Sequence, residues 1–482
     1  MPNSSNYRGN KRNKGNKGYK IEQRTEASID IGSDCLKGVV ARKGEDNVIE
    51  IIAYSQIPSS GFEGGELKDA VSFRASLGEL SNALAAQIDD DVQANFVLSI
   101  NEKSAFLTDE VKAIALTEDD EREYVTNDHV QDLLLRFFAS GRKETEETET
   151  SGGGFDFLNN SRSTLHAMPK KYILDETKYV VNPVDMEASI LAVEASVLSI
   201  DSTAKESVIN MFTSQIGGPK PNLHLSPFVS SIAVLNSKEM DAGVISIDMG
   251  HSFTTVTAFR SNSIIYFKQI DQSLKNVMKD VAKVFNTSVS EAERMVKNYG
   301  KVAFKDTSTD TISYVMLDGK STKQIARSQL SLVIYAKIKE IMNYVKKEIR
   351  VILTKMAEDG DASIPGGIVV TGGGARIDGI IEFIRDTFNL SVRIGNVEDN
   401  DKFVIEAASD MDSCIYSAAI GNLFIVSPEL DEDYYYEEDY YEEKTRRPII
   451  NRTKKKKEKE KDREKEGPSV MDKVANFLKK LV

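Results

Sequence analysis

The stretch SIDIG occupies residues 28–32, and SIDMG returns at residues 246–250, 218 positions later. A single Asp-x-Gly turn is ordinary, because Asp bonds its own backbone and Gly tolerates positive φ. Here the repeat extends beyond the turn. ASIDIG is followed by LKGVVARKG and NVIEIIAYSQIP, and GVISIDMG is followed by TTVTAFRS and NSIIYFKQID. Each block reads as an apolar strand closed by the turn, then two more strands in meander order. The chain therefore carries two related halves.

Composition bounds what the halves can be. With 482 residues, 40% apolar and 28% charged, the chain can fill more than one core. The two cysteines, Cys35 and Cys414, show no pairing or metal spacing, which points to a reducing compartment. The four histidines are scattered and suggest no zinc site. No apolar run approaches the ~20 residues that span a bilayer, and the N-terminus has no signal-peptide apolar region. A soluble, cytoplasmic-type chain is expected.

The net charge of −13 is unevenly spread. Residues 1–20 carry six basic side chains and no acids, ELDEDYYYEEDYYEE (429–443) is acidic and tyrosine-rich, and RTKKKKEKEKDREKE (452–466) is dense in both signs. Such segments bury too little apolar surface to offset ordering entropy, so disordered tails and linkers are expected. The basic tail reads as solvated, with nucleic acid or anionic lipid as the alternatives.

Between the halves, FRASLGELSNALAAQI places Phe73, Leu77, Leu80, Leu84 and Ile88 at helical spacing. SLKNVMKDVAKVFN and VSEAERMVKNYG read as helices, and ARSQLSLVIYAKIKEIMNYVKKEIRVILTKM reads as one long helix. GGIVVTGGGARIDGIIEFIRDTF reads as a strand, a three-glycine turn at 372–374 and an amphipathic helix. A glycine-rich turn before a helix lets backbone approach a ligand, with helix amides aimed at it.

Two Asp-x-Gly turns and a strand–GGG–helix unit together resemble the actin-like ATPase superfamily. That resemblance implies an α/β, two-lobed fold with duplicated ribonuclease-H-like halves around a nucleotide cleft. LHAMPKKYILD with NPVDM, SEAERMVKNYG, TGGGARIDG, VRIGNV and YSAAIGNL narrow it to the FtsA family, over about residues 27–427, with an FtsA-type small domain inserted in the first lobe. The layout expected is a disordered basic tail (1–26), the first lobe (27–93, 188–236 and 396–427) and the insert (94–187). The second lobe covers 237–270 and 336–395 with a subdomain at 271–335; a charged disordered linker (428–467) and an amphipathic helix (468–482) follow.

The resemblance implies ATP and Mg²⁺ as cofactors. Asp30, Gly32, Ser33, Asp34 and Lys37 of the first turn, and Asp248, Gly250, His251, Ser252 and Thr254 of the second, would surround the phosphates. Backbone donors in successive turns make anion concavities, and Asp30 or Asp248 would hold the hydrated Mg²⁺. Gly372, Gly373, Gly374 and Arg376 would pack against adenosine, with Glu293 near the ribose. Two departures stand out. The second turn usually continues Gly-Gly-Gly-Thr, but here His251, Ser252 and Phe253 follow Gly250, and bulkier residues restrict the backbone. His251 either donates to phosphate or marks a lost contact. The family's lysine three residues after Glu293 falls on Val296, leaving Lys297 on a different face. A further departure, GRKETEETETSGGGFDFLNNS (141–161), reads as a disordered loop in the insert.

GPSVMDKVANFLKKLV opens on a Gly-Pro breaker and repeats apolar residues at helical spacing. Val470, Met471, Val474, Phe477, Leu478 and Leu481, with Lys479 and Lys480, make a short cationic amphipathic helix that reads as an interfacial membrane anchor. Docking on the body or on a partner is the alternative. By resemblance the protein is an ATP-gated, self-assembling adaptor, at most a slow ATPase. It would sit on the cytoplasmic side of the cell membrane at the division site and hold the FtsZ tail and later division proteins. Lys323 and Arg327 lie where basic side chains would meet that acidic tail, with solvated helix-start charges as the plain alternative. A PilM-type pilus platform and a metabolite kinase are the rival readings. The kinase lacks a recognisable substrate lobe and catalytic base, and the platform typically lacks such an anchor. No nucleic acid is expected.

Overall fold

The computed structural model describes residues 24–44, 47–88, 94–117, 122–139, 162–358, 360–408 and 410–425. Most of the basic tail, the 141–161 insertion, the charged linker and the amphipathic stretch from Val470 to Leu481 lie outside the described residues.

Each half folds around its Asp-x-Gly strand. In the first lobe Arg24–Ile31 pairs antiparallel with Cys35–Lys43, which pairs antiparallel with Val48–Pro58. On its other side Arg24–Ile31 pairs parallel with Asn95–Ile100, and that strand with Asn222–Leu225. The second lobe repeats the order. Val244–Met249, Thr254–Arg260 and Ser263–Ile270 form the meander, and Ile368–Thr371 then Val392–Ile394 extend it in parallel. The period of two along a strand explains the chemistry of both central strands. Ile29 and Ile31, like Ile245 and Ile247, are buried in the apolar core of their own lobe. The alternate residues, Ser28 and Asp30 or Ser246 and Asp248, are polar and face the other way. The result is an actin-like α/β fold whose duplication is structural as well as sequential.

The insert differs from its expected limits of 94–187. ANFVLSI carries Asn95–Ile100 of the first lobe's sheet, with Asp30 paired to Ser99. The insert's own sheet orders Lys178–Val180, Arg162–Leu174, Ile190–Asp201 and Phe106–Ala115, so it runs past residue 187. Helix Asn127–Ala139 covers this sheet and buries Leu133 and Phe137 against Tyr172, Leu191 and Val193. Ile190–Asp201 is twelve nearly all-buried residues, and it serves both the insert and the first-lobe core through Leu198 and Ile200. The strand is continuous across the junction, so no turn or breaker in the sequence marks where one domain ends.

Helices Leu274–Phe285 and Val289–Tyr299, with the hairpin Thr311–Val315/Thr322–Ala326, form a smaller layer on the second lobe. Helix Arg327–Glu358 runs beneath them and buries Leu330, Ile334, Ile338, Ile341, Val345 and Ile349 along one stripe. After Val392–Ile394 the chain returns to the first lobe. Val404–Glu406 adds to the edge of Val48–Pro58, and helix Ser417–Asn422 packs against helix Ser226–Val234.

Candidate functional site

The two turns meet across a cleft of about 380 Å³ between the lobes. Asp30, Gly32, Ser33, Asp34 and Lys37 line it from one side, and Asp248, Gly250, His251 and Ser252 from the other. The turns are built alike. A Cβ on Gly32 would stand 2.7 Å from the Cys35 carbonyl, and one on Gly250 would stand 3.0 Å from the Phe253 carbonyl. A side chain at 32 would press into backbone, and one at 250 would be tight against it. His251, Ser252 and Phe253 all stay at negative φ, so the departure from Gly-Gly-Gly imposes no backbone strain.

The carboxylates are unequal. Asp30 is buried; it accepts from Lys37 Nζ at 2.9 Å, Ser99 Oγ at 3.1 Å and Ser226 Oγ at 2.7 Å. Burial pulls the Lys37 ammonium down, and the Asp30 carboxylate more than offsets it, so Lys37 titrates above the ordinary lysine range. Asp248 receives no hydrogen bond from the described residues. Burial, then the nearby Asp30 charge, push its pKa up to about 6, with Lys37 opposing. Gly372 makes room for that carboxylate: it sits at φ +77°, and a Cβ there would be 2.5 Å from Asp248 Oδ1.

Behind Asp30 runs a buried polar chain that sequence patterns did not suggest. The Asn422 amide donates to Ser28 Oγ at 3.0 Å and Ser99 Oγ at 3.1 Å, and its carbonyl meets His224 Nδ1 at 3.2 Å. The His224 ring lies 5.2 Å from that of His166 on the insert's strand Arg162–Leu174, and His166 Nε2 accepts from the Leu225 amide. Burial lowers both histidines, His224 to about 4. YSAAIGNL marks the helix that supplies Asn422, but nothing in its spacing ties that residue to Asp30.

Several expected site residues sit elsewhere. Thr254 is fully buried in its strand, and Gly374 packs under Met249; neither lines the cleft. The three glycines do not open directly into a helix, as expected. A 3₁₀ turn, Gly373–Arg376, intervenes, and the α-helix starts at Ile380 after Gly379. Gly372, Gly373 and Arg376 line the cleft, with Arg376 paired to Asp412 at 2.8 Å. Glu293 also stands outside the lining and pairs with Lys297 Nζ at 2.5 Å. The expectation for Lys297 is corrected: it lines the cleft together with Val296. One helical turn is 3.6 residues, so the lysine four positions after Glu293 reaches the same side as the expected one three positions after it.

Lys297 also spans the cleft mouth, 3.3 Å from Asp34 Oδ2. His251 Nδ1 lies 4.0 Å from the other Asp34 oxygen, and Lys275 pairs with Glu63 across the same opening. Burial lowers His251 despite the Asp34 and Glu293 charges, so its ring is neutral at pH 7. One wall is apolar, formed by Leu274, Met278, Val296, Ile377 and Ile415. Outside the cleft lining, Lys323 is exposed on the hairpin, whereas Arg327 bonds the Tyr299 carbonyl at 3.2 Å and lies 3.9 Å from Asp378.

The family model described as cell division protein FtsA matches residues 245–421, and that of the SHS2 domain inserted in FtsA matches residues 156–199. The chain belongs to the FtsA family. The FtsA of Borreliella burgdorferi is 24% identical over 76% of this chain and 83% of its own length. That of Bacillus subtilis is 23% identical over 77% of this chain and 78% of its own. Among solved structures, the PilM-PilN type IV pilus biogenesis complex aligns with a TM-score of 0.54 at 14% identity, covering 83% of this chain and 97% of that one. That likeness is one of fold. As an FtsA-family chain, this is an actin-like cell-division protein. No helix among the described residues is long and apolar enough to cross a membrane.

Proposed function

We propose that this protein binds ATP with Mg²⁺ in the interlobe cleft and assembles with copies of itself. It then holds the FtsZ tail and later division proteins at the cytoplasmic side of the membrane, at the division site. One observation carries the nucleotide part: two like-built turns bring Asp30, Lys37 and the donor-poor Asp248 to one cleft floor. Two carboxylates this close, one raised to about 6 by burial and by the other's charge, gain most from a divalent cation. They are the residues that would hold the hydrated ion, which supplies positive charge against the phosphates. Lys37, fixed by Asp30, presents an ammonium beside them. Both turns line the same space, and the apolar wall from Leu274 to Ile415 suits a purine. Asp30 is saturated by its three donors, and Asp248 is assigned to the cation, so no carboxylate is left over as the base for rapid hydrolysis. Binding with at most slow turnover follows.

Membership of the FtsA family supports the adaptor role, and the amphipathic repeat from Val470 to Leu481 supports the membrane contact. A single short helix binds weakly, and many aligned on a polymer bind through effective concentration. The exposed Lys323 remains available to an acidic peptide such as the FtsZ tail. Arg327 contributes less, being already engaged. The test is threefold. Saturating ATP with Mg²⁺ should raise the unfolding midpoint, by about 2.7 kcal/mol at a hundredfold excess over Kd; no shift removes the nucleotide reading. The full chain should pellet with anionic vesicles and a chain ending at Glu466 should not; equal pelleting removes the tether. Lys323→Glu should weaken binding of the FtsZ tail; unchanged affinity removes that contact.

A further inference from the structure

Helix Arg327–Glu358 turns a long face to solvent, and that face is cationic. Lys339, Lys346, Lys347 and Arg350 are exposed there, at spacings of seven, eight and eleven residues from the first. Such spacing lines them up along one side of a helix. The nearby acids are engaged elsewhere. Glu340 and Asp280 pair with Lys337, and Glu348 accepts from the Tyr266 hydroxyl. None of the four cations has an ion-pair partner among the described residues. Lys347 lies 4.8 Å from the centre of the Tyr344 ring, and Lys339 lies 5.9 Å from that of Tyr335. Val351 continues the stripe, 49% exposed. Like charges a turn apart cost a few tenths of a kcal/mol each in an isolated helix. An unpartnered row of them calls for an anionic partner.

We infer that this partner is the chain's own segment 429–443, which docks on the cationic face of the helix. ELDEDYYYEEDYYEE carries nine carboxylates, five tyrosines and no basic residue. Its charge is opposite to the stripe, and its rings can sit against Lys and Arg as Tyr344 already does with Lys347. The described body ends at Ile425, 18 residues before Glu443. Extended, 18 residues reach roughly 60 Å, and a body of this size is roughly 55 Å across. The reach grows from roughly 14 Å at residue 429 to roughly 60 Å at Glu443, so the later acids of the segment have the range to leave the first lobe, and charge selects where they settle. A tethered segment acts at millimolar effective concentration, well ahead of a free partner. The helix offers its cations on an ordered scaffold, so docking orders only one side. Once the segment is docked, the charged run that follows begins from the second lobe instead of from Ile425.

The test is zero-length carbodiimide coupling of the full chain, with the linked peptides read by mass spectrometry. The expected result is amide links from Lys339, Lys346 and Lys347 to acids of 429–443 within one molecule. Their yield should fall at least fivefold in ~1 M salt, where the Debye length shrinks to about 3 Å. The yield should also fall when Arg350, which supplies no coupling amine, is changed to Glu, with an unchanged unfolding midpoint showing that the fold survives. Links from 429–443 only to the lysines of 454–465 or 1–20 overturn the inference. So do links found only between isotopically distinct chains. Protection of Lys346 and Lys347 from acetylation by phosphatidylglycerol vesicles, but not by the segment, assigns the face to a membrane and overturns it as well.

Discussion

Asp30 and Asp248 occupy equivalent places in the two halves, yet Asp30 accepts three hydrogen bonds and Asp248 none from the described residues. The duplication preserved the carboxylate in both turns and supplied donors to only one. The asymmetry makes Asp248 the responsive member of the pair.

Asp248→Asn therefore stabilises the ligand-free protein above pH 6. The folded pKa is raised to about 6 from 3.8, so the native state holds this proton more tightly than the unfolded chain. Stability from this group is largest below pH 4 and declines as pH rises to 6, the reverse of a salt-bridged acid. Allowing for partial exposure, the gain at pH 7.5 is on the order of 1–2 kcal/mol. Urea titrations at pH 5 and pH 7.5 measure it. The same variant loses any Mg²⁺-dependent stabilisation.

Acid weakens the protein through its buried histidines. His224, lowered to about 4, and His166, also lowered, stay neutral in the fold but take protons once unfolded below pH 6.5. Their contribution is intact above pH 6.5 and is lost as pH falls toward 4. His224→Gln should flatten the pH dependence in that window by one proton, about 1.4 kcal/mol per pH unit. An unchanged slope rejects the assignment.

Asn422→Ala removes an amide that serves Ser28, Ser99 and His224 at once. Losing those three bonds in the interior costs roughly 2–4 kcal/mol. The urea midpoint reports the loss. Because Ser99 also donates to Asp30, affinity for Mg²⁺-ATP should fall in the same variant.

Gly372→Ala drives a methyl to 2.5 Å from Asp248 Oδ1 at a φ of +77°. Destabilisation of about 1–3 kcal/mol is expected from the backbone alone. Combining it with Asp248→Ala should recover part of the cost, because the clash partner is gone. A double-mutant cycle with zero coupling would show that the two residues do not meet.

Lys297→Ala should change stability by less than about 1 kcal/mol, since its pairs with Asp34 and Glu293 are half exposed and screened. Its effect belongs to the cleft mouth. Deuterium uptake at residues 31–35 should rise in the variant and approach the same level in wild-type protein at high salt.

Local features of the sequence carried the fold well. Strand meanders, long helices and both Asp-x-Gly turns follow from periodicity, which acts over a few residues. The junction at Ile190–Asp201 escaped, because one continuous strand contributes side chains to the cores of both the insert and the first lobe. The site was legible where turn chemistry is local, as at Gly32 and Gly250. It was illegible where function depends on partners distant in the chain. Ser226 lies 196 positions from Asp30 and Asn422 lies 394 from Ser28, and no spacing rule reaches that far. Lys297 was misplaced for a smaller reason: three- and four-residue offsets share a helix face.

The return of the chain to the first lobe bears on how the molecule is made. The second lobe is one uninterrupted stretch, its sheet running from Val244 to Ile394. The first lobe waits for Ser417–Asn422, which seals its polar interior from the far end of the sequence. On a ribosome emitting residues in order, the later-encoded lobe is able to fold first. The earlier half then stays open until the last described helix emerges. The sheet surface that this helix covers needs shelter for that interval, and a stop codon shortly before Ser417 would leave a sound second lobe attached to an unfinished first.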